Sequence, residues 1–294
     1  MSAGTPCPFY QVDVFSARPG AGNPLAVVIG AGRFDDAQMQ AIAAWNNLAE
    51  TTFLLPPTLA GADYRVRIFT TRREIAFAGH PSIGSAHVAR SAGLVDAAAA
   101  RLVQECQAGL LPVRVEADGL PLLSVRVPRS RIVRRGQGSD VFLTASLSGL
   151  ALGALSPAMV EGGRRWWLAE LVNEDEVRRM QPDREAIHDL ARETDSLGLC
   201  VFARTPRSTD HDFVVRAFPL GVGIEEDPAS GAANAAIAAF LDETDSLGPL
   251  GKGYRVSQGR EMGRDARLVL RIDEDHQVWV GGECQSVVRG TFRW

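Results

Sequence analysis

The chain is almost without lysine: Lys252 stands alone among 31 basic residues, and all the others are arginine. Acidic residues number 35, so the net charge is −4 and no excess of positive charge is offered to a polyanion. That excludes nucleic acid as the expected partner, and the arginine bias reads as genome composition rather than as a binding surface. No apolar run approaches the ~20 residues that span a bilayer, so no membrane partner is expected. The opening Met1-Ser2-Ala3-Gly4-Thr5-Pro6 lacks a basic stretch followed by an apolar core, and the expected location is cytoplasmic. Cysteine is sparse and scattered (Cys7, Cys106, Cys200, Cys284), with no C-x-x-C pair and no histidine at ligand spacing. Buried free thiols are expected rather than a disulfide framework or a metal site. No G-x-S-x-G elbow, H-E-x-x-H helix or Walker loop occurs, and Gly20-Ala21-Gly22 lacks the third glycine of a dinucleotide fingerprint. His80 and His87 lie seven apart without further ligands. No metal and no cofactor are therefore expected, and proton transfer by side chains alone is the chemistry that remains.

What is present is an ordinary globular composition, 46% hydrophobic and 22% charged over 294 residues, enough for one large domain or two medium ones. One short frame occurs twice. His80-Pro81-Ser82-Ile83-Gly84-Ser85-Ala86-His87 and Asp227-Pro228-Ala229-Ser230-Gly231-Ala232-Ala233-Asn234 share an ionisable residue, Pro, a small residue, any residue, Gly and two small residues. Each opens an Ala-rich stretch. Proline favours the first helical position and biases the residue before it away from helix, so His80 and Asp227 are predicted to be the caps. Two helix tips carrying titratable groups would make an anion-binding, proton-handling cleft if the halves face each other.

Strands are predicted at 9–15, 25–29, 51–55, 64–70, 101–106, 112–116 and 122–127, with a helix at 35–47 and the first Ala-rich helix at 81–92. Around 128–140 the pattern lapses into charge and glycine, the predicted domain boundary. The second half carries predicted strands at 166–172, 199–203, 213–218, 267–272 and 286–292, and helices at 174–180, 183–194 and 228–242. The domains are accordingly 1–128 and 129–294, with the last strand free to cross back to the first. Runs of strands exclude a regular βαβ alternation. Because 228–242 is apolar on nearly every face, it should be buried, threaded through a barrel-like sheet.

Three side chains are candidates for chemistry. His80 and Asp227 could each be an innocent cap satisfied by local backbone; their pairing in one repeated frame argues otherwise. Glu50 sits between a helix-like segment and a strand, and a carboxyl wedged there would titrate upward and exchange protons near neutrality. The alternative is a surface glutamate at a helix end. Glu225 and Glu226 read as a solvated acidic loop.

Five stretches together resemble the PhzF family of isomerase-like enzymes. They are Val12-Asp13-Val14-Phe15 with Gly22-Asn23-Pro24; Asn47 through Phe53; Arg67-Ile68-Phe69-Thr70 through Phe77-Ala78-Gly79-His80-Pro81; Glu226 through Gly231; and Gln258-Gly259-Arg260-Glu261-Met262-Gly263-Arg264. The resemblance implies an α+β, diaminopimelate-epimerase-like fold, two pseudo-symmetric domains each a barrel-like sheet around a central helix. It implies that Glu50 is the proton-shuttling carboxylate and that His80 and Asp227 orient substrate and assist it. The substrate-binding set would be Asn23, Gly79, Ser82, Gly84, Ser85, Ser230, Gly231 and Ala232. Backbone N–H groups at Gly84-Ser85 and Gly231-Ala232 would hold a carboxylate or developing enolate. Neither helix-tip loop holds a cysteine, which excludes the two-thiol racemase mechanism. Ala232 stands where the family often has Ser, and Asp265-Ala266 where it has Pro-Ser. The expected function is a cofactor-independent isomerase moving a proton within a small carboxylate metabolite, as a homodimer. The alternative is a non-catalytic small-acid binder or interaction protein on the same scaffold.

Overall fold

The computed structural model describes residues 6–116, 122–206 and 210–294. The chain divides into two compact units, Met1–Arg126 with Gly281–Trp294, and Val127–Val280.

In the first unit the strand Cys7–Val14 pairs antiparallel with both Cys284–Phe292 and Asn23–Ile29. The sheet continues parallel to Glu50–Leu55, antiparallel to Tyr64–Thr70, parallel to Arg101–Cys106, then antiparallel to Gly109–Glu116 and Leu122–Arg126. The helix Gly79–Ser91 contacts strands from both ends and the middle of this series, so the sheet wraps it. Small residues permit that wrapping. Gly84 shows how tightly: a Cβ there would stand 2.5 Å from Leu25 Cδ2 and 2.9 Å from Val14 Cγ2. Gly84→Ala is therefore expected to lower stability by about 1 kcal/mol, overpacking exceeding the gain in helix propensity. An unchanged or raised denaturant midpoint would contradict this reading of the contact.

The second unit repeats the succession of pairings. Arg131–Arg135 and Arg165–Glu170 flank Ala158–Glu161 antiparallel; Leu199–Arg204 follows parallel, Phe213–Phe218 antiparallel, Gly253–Gln258 parallel and Ala266–Ile272 antiparallel. Its central helix, Gly231–Glu243, lies against Ala158–Glu161, Arg165–Glu170, Ala266–Ile272 and Arg131–Arg135. Strand Leu199–Arg204 is buried on both faces: Leu199, Val201 and Ala203 meet a cluster with Val177, Ile187 and Leu190, while Phe202 meets Phe240 of the central helix. That is why its sequence is a continuous apolar run rather than an alternation. The fold is α+β and diaminopimelate-epimerase-like.

Several sequence expectations need correction. The helix Gly79–Ser91 begins before the proline, with Ala78 at the N-cap, so His80 is inside the first turn and caps nothing. Proline is tolerated there because first-turn N–H groups lack helical acceptors in any case. In the second unit the helix begins at Gly231, capped by Ser230, and Asp227 lies in the turn before it. The supposed lapse at 128–140 contains the strand Arg131–Arg135, whose exposure removes any hydrophobic alternation. The strands Ala158–Glu161, Gly253–Gln258 and Val278–Gly282 had no counterpart among the predicted elements. By contrast, Asp35 caps the helix Asp36–Asn46 through a reciprocal box with Gln38.

Candidate active site

In the first unit, Asn47 takes a left-handed conformation (φ 55°) that ends the helix Asp36–Asn46 and turns the chain into the strand Glu50–Leu55. Glu50 opens that strand opposite Thr70, its side chain 17% exposed. Its Oε2 lies 3.5 Å from Nε2 of His80, the second residue of the central helix. That separation exceeds a good N–H···O bond, and Nε2 has no hydrogen-bond partner among the described residues although it is sealed from the surface. Burial pushes the His80 pKa down to about 3, so the ring is neutral at working pH and holds one ring nitrogen in reserve beside a carboxylate.

This depression sets a stability signature. The unfolded chain binds a proton near pH 6.5 that the folded chain refuses until about pH 3. Stability contributed by neutral His80 is complete above that window and is lost as pH falls through it. His80→Gln should flatten the decline, recovering on the order of 1 kcal/mol per pH unit relative to the parent. Superimposable pH–stability curves for parent and variant would refute the buried neutral state.

The remaining first-unit candidates are mostly engaged in holding the helix. Ser82 Oγ donates to Ala78 O (2.9 Å) and accepts from Gln104 Nε2 (3.0 Å). Ser85 Oγ donates to Thr52 Oγ1 at 2.9 Å. Gly84 and Ser85 lie more than a turn inside the helix, where their N–H groups point at the carbonyls four residues back. They are thus not the free helix-tip donors expected from the sequence; the first-turn N–H groups without an acceptor in the helix are those of Gly79 and His80. Asn23 opens its strand opposite Val14 and is 2% exposed.

In the second unit, Asp227 is half-buried in a turn fastened at several points. Its N–H donates to Ala217 O (2.9 Å), its Oδ1 accepts from Ala229 N–H (3.1 Å), and its carbonyl accepts from Gln258 Nε2 (2.8 Å). Ser230 Oγ accepts from Ala233 N–H at 3.3 Å. The N–H groups of Gly231 and Ala232 occupy first-turn positions without helical acceptors, and Ala232 is exposed while Gly231 and Ala233 are buried. Glu226 is no solvated loop residue: both its oxygens meet Arg216, at 2.9 Å each, and Arg216 also donates to Val177 O and Met180 O. Sequence reasoning missed Arg216 and the role of Gln258; for Gln258 the signal was its place at the head of the Q-G-x-x-x-G-R segment.

Residues 12–290 match the model of the PhzC-PhzF family, described as phenazine biosynthesis-like protein. The chain belongs to the PhzF family. It is 31% identical over 292 residues to "Antisense-enhancing sequence 1" of Schizosaccharomyces pombe, covering 96% of this chain and 97% of that protein. It is 30% identical over 291 residues to trans-2,3-dihydro-3-hydroxyanthranilate isomerase of Pseudomonas fluorescens, covering 97% and 98%. The crystal structure of the PhzF-family phenazine biosynthesis protein of Bacillus anthracis superposes with a TM-score of 0.82 at 23% identity, covering 98% of this chain and 99% of that one. Relatives from Mesorhizobium japonicum and Pseudomonas aeruginosa are likewise named isomerases, though uncharacterized ones. Among the described residues, no helix is long and apolar enough to cross a membrane, and no group of three or more His, Cys, Asp or Glu could hold a metal ion.

Proposed function

We propose that this PhzF-family chain is an isomerase that relocates a proton within a small carboxylate-bearing metabolite, amino-acid-derived or cyclic, with Glu50 as acid and base. Glu50 takes a proton from a carbon next to an unsaturated group and returns it to a second carbon of the resulting delocalised anion. Atoms and charge are conserved, so no co-reactant is needed. The observation that carries this reading is the pair made by Glu50 and the neutral, unpartnered His80 nitrogen 3.5 Å away. A sealed polar atom without a partner costs about 1–3 kcal/mol unless a ligand satisfies it. The same reading gives Asp227 an assisting role in proton handling, and the first-turn N–H groups of the helix Gly79–Ser91, next to the Glu50–His80 pair, suit a carboxylate and its developing negative charge. The same reading takes the protein as cytoplasmic and homodimeric.

The test is incubation in deuterated water with trans-2,3-dihydro-3-hydroxyanthranilate, the compound named for the Pseudomonas fluorescens relative, and with a panel of small cyclic and amino acids. Mass spectrometry of the recovered acid reads incorporation. Deuterium washed into carbon supports the isomerase; binding of an acid without any incorporation supports a binder instead.

A further inference from the structure

Three backbone and side-chain groups around the Asp227 turn converge on one amide. Gln258, the last residue of the strand Gly253–Gln258, is 1% exposed. Its Nε2 donates to the carbonyl of Asp227 at 2.8 Å, and its Oε1 accepts from Ser230 N–H at 3.2 Å and from Asn234 Nδ2 at 2.8 Å. The next residue lies flush on the same turn: Gly259 has φ 92°, and a Cβ there would stand 2.5 Å from Pro228 O. The first unit has a parallel arrangement. Gln104, fully buried on the strand Arg101–Cys106, donates to Ser82 in the first turn of its central helix. In each unit, then, the strand that follows the central helix sends a buried glutamine to that helix's start.

We propose that Gln258 is a positioning residue for Asp227. The carbonyl of Asp227 needs a donor, while Ser230 and Asn234 need an acceptor; the amide of Gln258 offers both from one planar group and keeps them at every pH. By fixing that carbonyl and the helix cap together, Gln258 sets the direction of the Asp227 carboxyl. Its effect on turnover rests on the isomerase reading; the geometric claim does not. The test therefore begins with a readout that needs no substrate.

Ala229 N–H donates to Asp227 Oδ1, so its amide resonance reports ionisation and orientation of that carboxyl. Cys200, which also senses Asp227, adds no competing transition, because burial pushes its thiol far above the usual range. In Gln258→Met, the Ala229 titration should move by about one pH unit or lose its amplitude. Gln104→Met, in the other unit, should leave it unchanged. Gln258→Glu supplies the rescue and the second chance should the methionine variant not fold. Its carboxyl, protonated at lower pH, donates to Asp227 O as the amide does; ionised, it cannot. A parent-like Ala229 signal should hold below that transition and vanish above it. An Ala229 titration unaltered in Gln258→Met, or lacking a second transition in Gln258→Glu, overturns the proposal even if the melting temperature falls. With an exchanging acid in hand, kcat should drop at near-constant KM, and the drop should disappear in an Asp227→Asn background. Failure of every acid to exchange would defeat the isomerase reading and leave the amide result standing.

Discussion

Glu50→Gln is expected to reduce solvent-proton exchange into the substrate by about 10²–10⁴-fold, the usual contribution of a general acid–base group. Affinity for the exchanging acid should stay within about tenfold, because the amide keeps the size of the carboxylate and its place at the head of the strand. His80 cannot take over the role. With its pKa pushed down to about 3 it is a weak base near neutral pH, and the proposed isomerase reading leaves it one hydrogen bond to donate or accept beside Glu50. Incorporation measured by mass spectrometry in parent and variant decides the matter. Undiminished exchange in Glu50→Gln would remove Glu50 from the mechanism.

Glu226→Ala should cost about 3–5 kcal/mol of stability, whereas the adjacent Glu225→Ala should stay within about 0.5 kcal/mol. The two carboxylates are neighbours in sequence and opposites in setting. Glu225 meets Arg184 where both side chains are more than half exposed, at 62% and 65%. Glu226 meets Arg216, which is 5% exposed and has its Nη1 fixed on Val177 O and Met180 O. Removing Glu226 strands a guanidinium that cannot turn to water. Urea unfolding of both variants makes the comparison internal to one loop; losses of similar size would show that the fork carries no special weight.

Much of the architecture was legible because the relevant physics is local. Tyr64–Thr70 alternates buried and partly buried residues, and its bounds coincide with the predicted strand. The second central helix is apolar on nearly every side, which a wrapped position satisfies. Arg131–Arg135 was not legible, because a strand with almost no buried face has no pattern to display. The site was legible in its residue types but not in its phase. The same His/Asp-Pro frame sits inside the first turn in one unit and ahead of the helix in the other. What fixes the second start is a side chain distant in sequence, Gln258, together with the Ser230 cap; in the first unit the helix starts without a side-chain cap and Ser82 bonds back to Ala78. No window of a dozen residues contains that information. Glu50 and His80 could therefore be named only as candidates, and the hydrogen bonds around them not at all. Glu226 looked like one of two solvated acids because its arginine is ten positions away on a strand.

The pairing of Cys7–Val14 with Cys284–Phe292 orders events during synthesis. The second unit is one contiguous stretch of chain and can close as soon as it has emerged from the ribosome. The first unit begins earlier but waits for the strand Cys284–Phe292 until the whole second unit has been translated. Throughout that interval one side of Cys7–Val14 offers open backbone donors and acceptors, the kind of strand edge that invites pairing with the wrong chain. The unit that carries Glu50 and His80 is thus begun before the other and completed after it.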